Sequence, residues 1–574
     1  MTGEELDKIY RVRPFRTRNA DEFELQNILG LFIDPTDGLT SPFDYCNSII
    51  KGKMGSGKTM YLRANHAYYL YTLVPCLNAN ENIILPIYIK LSDFANIRET
   101  DKIYNAIIVK IVEEIAHVCD HLKSSIELTK LHIGASSLPG LWPNSKAIDK
   151  VLSDLHKLTA DEYVETISNS LTGNGGITSN FFNACAEYSN GKVQELKRHD
   201  VPSFQWIVNA CETLVIPFGG KLLILLDEVG SISKSFFKSD NNSESLFETL
   251  LNQLRTLPYV RTKIAVYPHS VSDILPETRY GDCIELECDP VNNLTQYGSF
   301  LSKVASLIER YIEKEAEIKC HAEDVFEITV QNQILLEQLV NASEGNMRRL
   351  VHILDMSMDE AYKRCQGRDK VSLHDVLEAL KRQGIDMESL YQDSDIDYLN
   401  RLVKVCKNRS TYRFTFPNKA NTIIKYTNRS AEYNIINIRQ AGTGRQGTIY
   451  SFDYAYCVYK DLPTHYVKGS EKIDRTRSNE EGEPIRRVAQ LSDEVLLQSE
   501  IHGKIEGTIQ QYNSKDDWGI VQGDDGKGYF ISREFVIESD RKKPIRPEAR
   551  IRFLPFSLSG EKATLPFCTE IEIL

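Results

Sequence analysis

Residues 52–59 read Gly52-Lys53-Met54-Gly55-Ser56-Gly57-Lys58-Thr59, the GxxxxGK[ST] spacing that wraps backbone N–H groups around phosphate oxygens. Gly52, Gly55 and Gly57 let the chain turn tightly, with Ser56 among the loop donors. Lys58 then places a point charge at the β- and γ-phosphates and the Thr59 hydroxyl can ligate Mg²⁺. Further along, the apolar run 221–226 ends in Asp227-Glu228. Asp227 can hold Mg²⁺ through water and Glu228 can orient and deprotonate the attacking water, which extends phosphate binding to ATP hydrolysis. Two arginines fit the same chemistry. Arg348, in Glu344-Gly345-Asn346-Met347-Arg348-Arg349, opens a helix after a turn, and Arg279, in Pro-Glu-Thr-Arg279-Tyr-Gly, stands just before a strand.

These residues need a parallel sheet beneath them. Five short runs rich in Ile, Val, Leu and Tyr (48–51, 83–91, 221–226, 262–267 and 283–286) alternate with helical stretches, the α/β signature. The loop follows the first run and Asp227-Glu228 ends the third. The run 83–91 lies between the two motifs in sequence, an additional strand that would place Glu228 one strand away from the loop. The block 1–290 is therefore expected to be an α/β P-loop core with a helical insertion at about 94–215, including helices over 103–119, 147–157 and 204–214 and a Gly/Ser/Asn-rich break at 170–180. From 291 to 396, apolar residues at helical spacing predict a small helical domain.

On these motifs the chain resembles AAA+ ATPases, in particular the origin-recognition-complex and archaeal-initiator clade and its prokaryotic relatives. The resemblance covers about residues 20–390. It implies that Lys58 and Thr59 look like Walker A, Asp227 and Glu228 like Walker B, Arg348 like the sensor-2 arginine and Arg279 like an arginine finger reaching a neighbouring copy's nucleotide. The implied cofactors are ATP and Mg²⁺, and the implied assembly is a homo-oligomer. The sensor-1 position departs from the pattern: the fourth strand runs into Pro268-His269-Ser270, and that role stays unassigned.

Residues 397–468 carry twelve basic against four acidic side chains, +8, which leaves −20 for the rest of a chain whose total is −12. Such segregation is the footprint of a nucleic-acid-binding face inside an acidic protein. Runs 435–440 and 448–452 flank Gly-Thr-Gly-Arg445-Gln-Gly, a hairpin with Arg439 in one arm and Arg445 at its basic tip. A helix followed by a basic hairpin resembles a winged helix binding duplex DNA; a solvated or intersubunit charged face is the other reading. After a polar linker at 469–502, residues 503–574 resemble a cold-shock domain, an OB-type barrel that stacks single-stranded bases on aromatics. Tyr512, Trp518 and Phe530 stand at aromatic positions, whereas Gln511, Ile520 and Ser532 replace two aromatics and a histidine and Asp516 and Asp517 add negative charge. A weak single-strand binder and a barrel reused for protein contacts both fit.

The 574 residues, 41% hydrophobic and 26% charged, are too many for one small module and ordinary enough to exclude a fibrous or wholly disordered chain. Twelve cysteines with no CxxC pair predict reduced thiols without a zinc site, and no apolar run approaches a membrane span. The expectation is a soluble cytoplasmic protein. No protease, nuclease or transferase motif is present. Two functions share this active site: an ATP-dependent, DNA-engaging switch or loader, and a signalling ATPase of a prokaryotic defence or mobile-element system that controls a separate effector protein.

Overall fold

The computed structural model describes residues 1–35, 41–78, 83–123, 203–216, 220–232, 234–237, 245–267, 282–286, 294–328, 333–408, 411–417, 421–427, 434–442, 447–462, 489–493, 496, 504–514, 517–556 and 565–574. The chain divides into two compact units. The first comprises Met1–Cys288, Ser299–Val325 and Gly345–Asp355; the second comprises Asp289–Gly298, Phe326–Glu344 and Met356–Leu574.

The first unit is built on a parallel sheet of β1 (Ser48–Lys51), β2 (Ile84–Lys90), β3 (Lys221–Val229), β4 (Val260–Val266) and β5 (Asp282–Glu285), in the order β2-β3-β4-β1-β5. Leu222 to Leu226 of β3 are all 0% exposed, as a strand covered on both faces must be. Glu228 does lie one strand from the loop, but the strand that separates them is β4. The run 83–91, expected to be the separating strand, forms β2 at the sheet edge, because β3 pairs with β2 on one side and β4 on the other.

Around the sheet lie α1 (Gly3–Val12), α2 (Leu25–Leu31), α3 (Lys58–Asn78), α4 (Thr100–Lys123), α5 (Gln205–Leu214), α6 (Leu246–Thr256) and α7 (Leu294–Ala316). The expected insertion lies largely outside the described residues, including the helix expected at 147–157 and the break at 170–180. Its described ends belong to the core. In α4, Ile103, Ile107, Ile108, Ile111, Val112 and Ile115 are 0% exposed, a helical stripe that packs on β2 and α5.

The second unit contains α8 (Ile334–Ser343), the C-terminal half of α9 (Met347–Cys365), whose first half belongs to the first unit, α10 (Leu373–Glu388), α11 (Asp393–Asn408), α12 (Asn421–Thr427) and α13 (Tyr454–Lys460). Strands β6 (Arg413–Phe416), β7 (Ile436–Gln440), β8 (Thr448–Phe452) and β9 (Ala489–Gln490) make a sheet in the order β7-β8-β6-β9. The expected hairpin is present as the antiparallel pair β7–β8. Part of the expected linker is structured: β9 pairs with β6, Leu491 and Leu496 are buried, and Asp493 accepts from Tyr398 Oη at 2.6 Å and Thr422 Oγ1 at 3.0 Å.

At the C-terminus β10 (Ile505–Asn513), β11 (Trp518–Gly523), β12 (Gly528–Ser532), β13 (Arg550–Phe556) and β14 (Phe567–Ile573) form a closed barrel in the order β10-β11-β12-β14-β13. Closure removes free sheet edges, and Ile509, Val521, Ile531, Ile551, Phe553 and Ile571 fill the interior. Among the described residues, no helix is long and apolar enough to cross a membrane.

Lys263 on β4 is 0% exposed, and its Nζ donates to the Pro42 carbonyl and to Asn65 Oδ1, each at 2.8 Å. Burial pushes its ammonium down to about 8, and a neutral amine still has the two donors these acceptors need. Because the folded state releases this proton first, the unfolded state binds more protons between pH 8 and the ordinary lysine range, so this group's contribution to stability rises with pH there. The stability of wild type minus that of Lys263→Met, from urea melts, should therefore increase by about 1 to 3 kcal/mol between neutral pH and pH ~10. Parallel pH profiles would contradict this.

Candidate functional site

The loop after β1 takes its shape from glycine. Gly55 and Gly57 have φ of +82° and +96°, conformations that cost an L side chain about 1 to 2 kcal/mol. A Cβ on Gly55 would also collide with the Asn346 carboxamide. The Gly52 N–H donates to Val266 O at 3.3 Å, which ties the start of the loop to the end of β4. Lys58 is only 7% exposed, and its Nζ donates to the carbonyls of Gly52 at 2.6 Å and Lys53 at 2.8 Å. It also sits 4.0 Å from the centroid of the Tyr267 ring.

Across β4, the end of β3 presents the two carboxylates. Asp227 is 1% exposed and accepts from Tyr88 Oη at 2.7 Å and from the Glu228 N–H at 2.8 Å. Burial pushes its carboxyl up, opposed by these two donors and by the Thr59 hydroxyl. Glu228 has φ +54°, a left-handed residue at the strand end. Its carboxylate lies 3.5 Å from Lys90 Nζ, which pairs with Asp21 at 2.8 Å.

Arg348 arrives on α9. Asn346 caps that helix by accepting from the Arg349 N–H at 3.0 Å and donates to Met54 O at 2.8 Å, while the Arg348 N–H reaches Gly55 O at 3.3 Å. The turn before the paired arginines thus rests on the phosphate-loop backbone. One cavity of about 170 Å³ is lined by residues 54–60, Asp227, Glu228, Tyr267 and Arg348 together with Arg18, Asp21, Leu31, Phe32, Ile33, Leu307, Tyr311 and Val351. Cationic, anionic and apolar side chains around one cavity suit a nucleoside polyphosphate, and the buried acid beside a threonine hydroxyl suits a divalent cation.

All the residues expected in the nucleotide site from the loop, from β3 and from α9 are therefore brought together. Arg279, His269 and Ser270 lie outside the described residues. Tyr88, Lys90, Asp21 and Tyr267 were not foreseen. Register explains two of them, since Lys90 stands opposite Asp227 and Tyr88 opposite Leu225. Only knowing that β2 flanks β3 would have revealed these pairs.

Two of the residues expected to meet nucleic acid have partners within the protein. Arg439 is not an open phosphate contact: its guanidinium is ion-paired with Glu344, its Nε donates to Ser451 Oγ at 2.6 Å, and its side chain is 13% exposed. Tyr512 does not share a face with Trp518 and Phe530. It pairs in register with the inward-facing Gly519 and packs against the barrel core, because alternation along a strand sends neighbours to opposite faces. Trp518 (41% exposed) and Phe530 do share an outer face, their rings stacked at 6.0 Å and 12°, with Ile520 opposite Phe530 and Ser532 opposite Trp518.

The +8 of residues 397–468 is also partly neutralised. Arg439, Lys425 and Lys460 pair with Glu344, Asp395 and Glu388, three acids outside that window, and counting them with it lowers the excess to +5. Arg401, Lys404 and Lys407 are exposed along one face of α11. Arg445 lies outside the described residues.

Residues 13–95 match the family model ORC-CDC6-like. No curated protein sequence matches. Among solved structures, the chain is similar to the Aeropyrum pernix ORC2 protein in its ADPNP-ADP complexes, at 12% identity over 79% of this chain and 95% of that one. The TM-score is 0.31. The segment that holds α2, β1, the phosphate loop, α3 and β2 is thus similar to the ORC-CDC6-like family, over less than half of the chain.

Proposed function

We propose that the protein binds and hydrolyses ATP as an AAA+-type switch and engages DNA through its second unit. The nucleotide half rests on one cavity that Lys58, Asp227, Glu228 and Arg348 line together. Loop N–H groups and the Lys58 ammonium bind the phosphates. Thr59 and Asp227 would hold Mg²⁺, which when bound supplies positive charge to the phosphate oxygens. Glu228 takes the proton of the attacking water, and Arg348 stabilises charge on the terminal phosphate. Arg279 would act from a neighbouring copy, so Arg279→Ala and Lys58→Ala proteins should regain turnover on mixing; no recovery would argue against homo-oligomeric sites.

For DNA, the element order α11, β6, α12, β7, β8 with β8 between β7 and β6 supports a winged-helix reading. The exposed bases of α11 and Arg445 at the hairpin tip are the proposed phosphate contacts on duplex DNA. The closed five-stranded barrel supports an OB-like reading, and the stacked Trp518–Phe530 pair is its candidate platform for single-stranded bases.

Lys58→Ala should lose most nucleotide affinity, whereas Glu228→Gln should bind ATP normally and turn it over about 10²- to 10⁴-fold more slowly. Calorimetry and steady-state phosphate release decide this, and wild-type turnover by Glu228→Gln would remove Glu228 as the base. Affinity for duplex DNA should fall with log salt at a slope of about −0.9 per contact. Arg401→Ala and Arg445→Ala should each lower that slope by about one and weaken all sequences alike. Intact protein with ATP that shows no salt-dependent DNA affinity would instead favour a nucleotide-controlled partner protein.

A further inference from the structure

We propose that Tyr267 is the positioning residue for Lys58, acting through the face of its aromatic ring; this rests on the nucleotide reading of the site. The insertion of β4 between β1 and β3 brings its C-terminal end to the cavity, between the phosphate loop and the two carboxylates. Lys51 stands in register with Val266, and the Gly52 N–H bonds to Val266 O at 3.3 Å. The residue after Val266 is therefore fixed against the base of the loop. There the ring centroid lies 4.0 Å from Lys58 Nζ.

The contact is strong because of where it is. Lys58 is 7% exposed, and an ammonium held over an aromatic face gains most when water is excluded. The two carbonyl bonds of the ammonium, to Gly52 and Lys53, are directional and must be given up when the N–H groups turn toward phosphate. The attraction between a charge and a ring quadrupole has no such requirement. The ammonium can exchange acceptors while its position over the ring is kept. Burial first, and then the charges of Glu228 and Asp227, push the Tyr267 phenol up, so that it stays neutral beside Lys58 and the ring face, not a phenolate, is the partner.

The test uses the full chain with Tyr267→Phe, Tyr267→Leu and 3,4,5-trifluorophenylalanine at position 267, the last of which keeps the ring's shape but removes negative charge from its face. Dissociation constants for ATP and ADP are measured by calorimetry. Tyr267→Phe should bind both as wild type does, whereas Tyr267→Leu should weaken both by the same factor, about 2- to 30-fold. The trifluorinated variant should follow Tyr267→Leu. The proposal is overturned if Tyr267→Leu binds like wild type, if Tyr267→Phe loses as much as Tyr267→Leu, or if the trifluorinated protein matches Tyr267→Phe, which would make the ring a packing element. Wild-type protein that binds neither nucleotide would overturn the nucleotide reading itself, a result distinct from any of these.

Discussion

Burying a carboxylate costs several kcal/mol unless donors or a cation compensate, and Asp227 is 1% exposed near the end of a strand, directly after the five buried apolar residues Leu222 to Leu226. Its surroundings answer that constraint. Tyr88 comes from the edge strand β2, the Glu228 N–H comes from a left-handed residue that turns the chain at the strand end, and Thr59 comes from the first turn of α3. Each donor reaches Asp227 only if the sheet has the order β2-β3-β4-β1-β5 and the glycine loop delivers α3 beside it. Donors still leave the charged form disfavoured, which gives a divalent cation beside Asp227 something to repay. The same sheet order puts Tyr267 beneath Lys58 and Lys90 beside Glu228.

Much of this was legible in the sequence because local chemistry writes itself locally. The loop 52–59 and the run ending in Asp227-Glu228 need only neighbours in sequence to be recognised, and the five strands coincide closely with five apolar runs. What depended on pairing across the sheet was not legible. Nothing near residue 88 in sequence says that its hydroxyl faces Asp227, and 83–91 read as the separating strand because it lies between the motifs in sequence, whereas the later strand β4 enters between them in space. Packing between segments far apart in sequence is hidden for a related reason: the burial of Ile103, Ile107, Ile111 and Ile115 in α4 and of Leu491 and Leu496 depends on distant partners.

Charge counted along a window misled in the second unit for the same physical reason. Glu344, Asp395 and Glu388 lie outside residues 397–468, yet each neutralises a base inside it. Among the described residues, Arg401, Lys404 and Lys407 of α11 are bases of that window that do reach solvent. In the barrel, strand alternation separates Tyr512 from the outer pair of Trp518 and Phe530. A surface of two rings beside Ile520 and Ser532 offers fewer stacking positions than three aromatics would, and base stacking is worth about 1 to 3 kcal/mol per base.

If one nucleotide site is built around Lys58 and Asp227, calorimetric titration of the intact protein with ATP should give one ATP per chain, with affinity that rises when Mg²⁺ is present and a Mg²⁺ effect that is lost in Asp227→Asn. Absence of saturable ATP binding, or a Mg²⁺ effect unchanged in Asp227→Asn, would show that Lys58 and Asp227 do not form such a site.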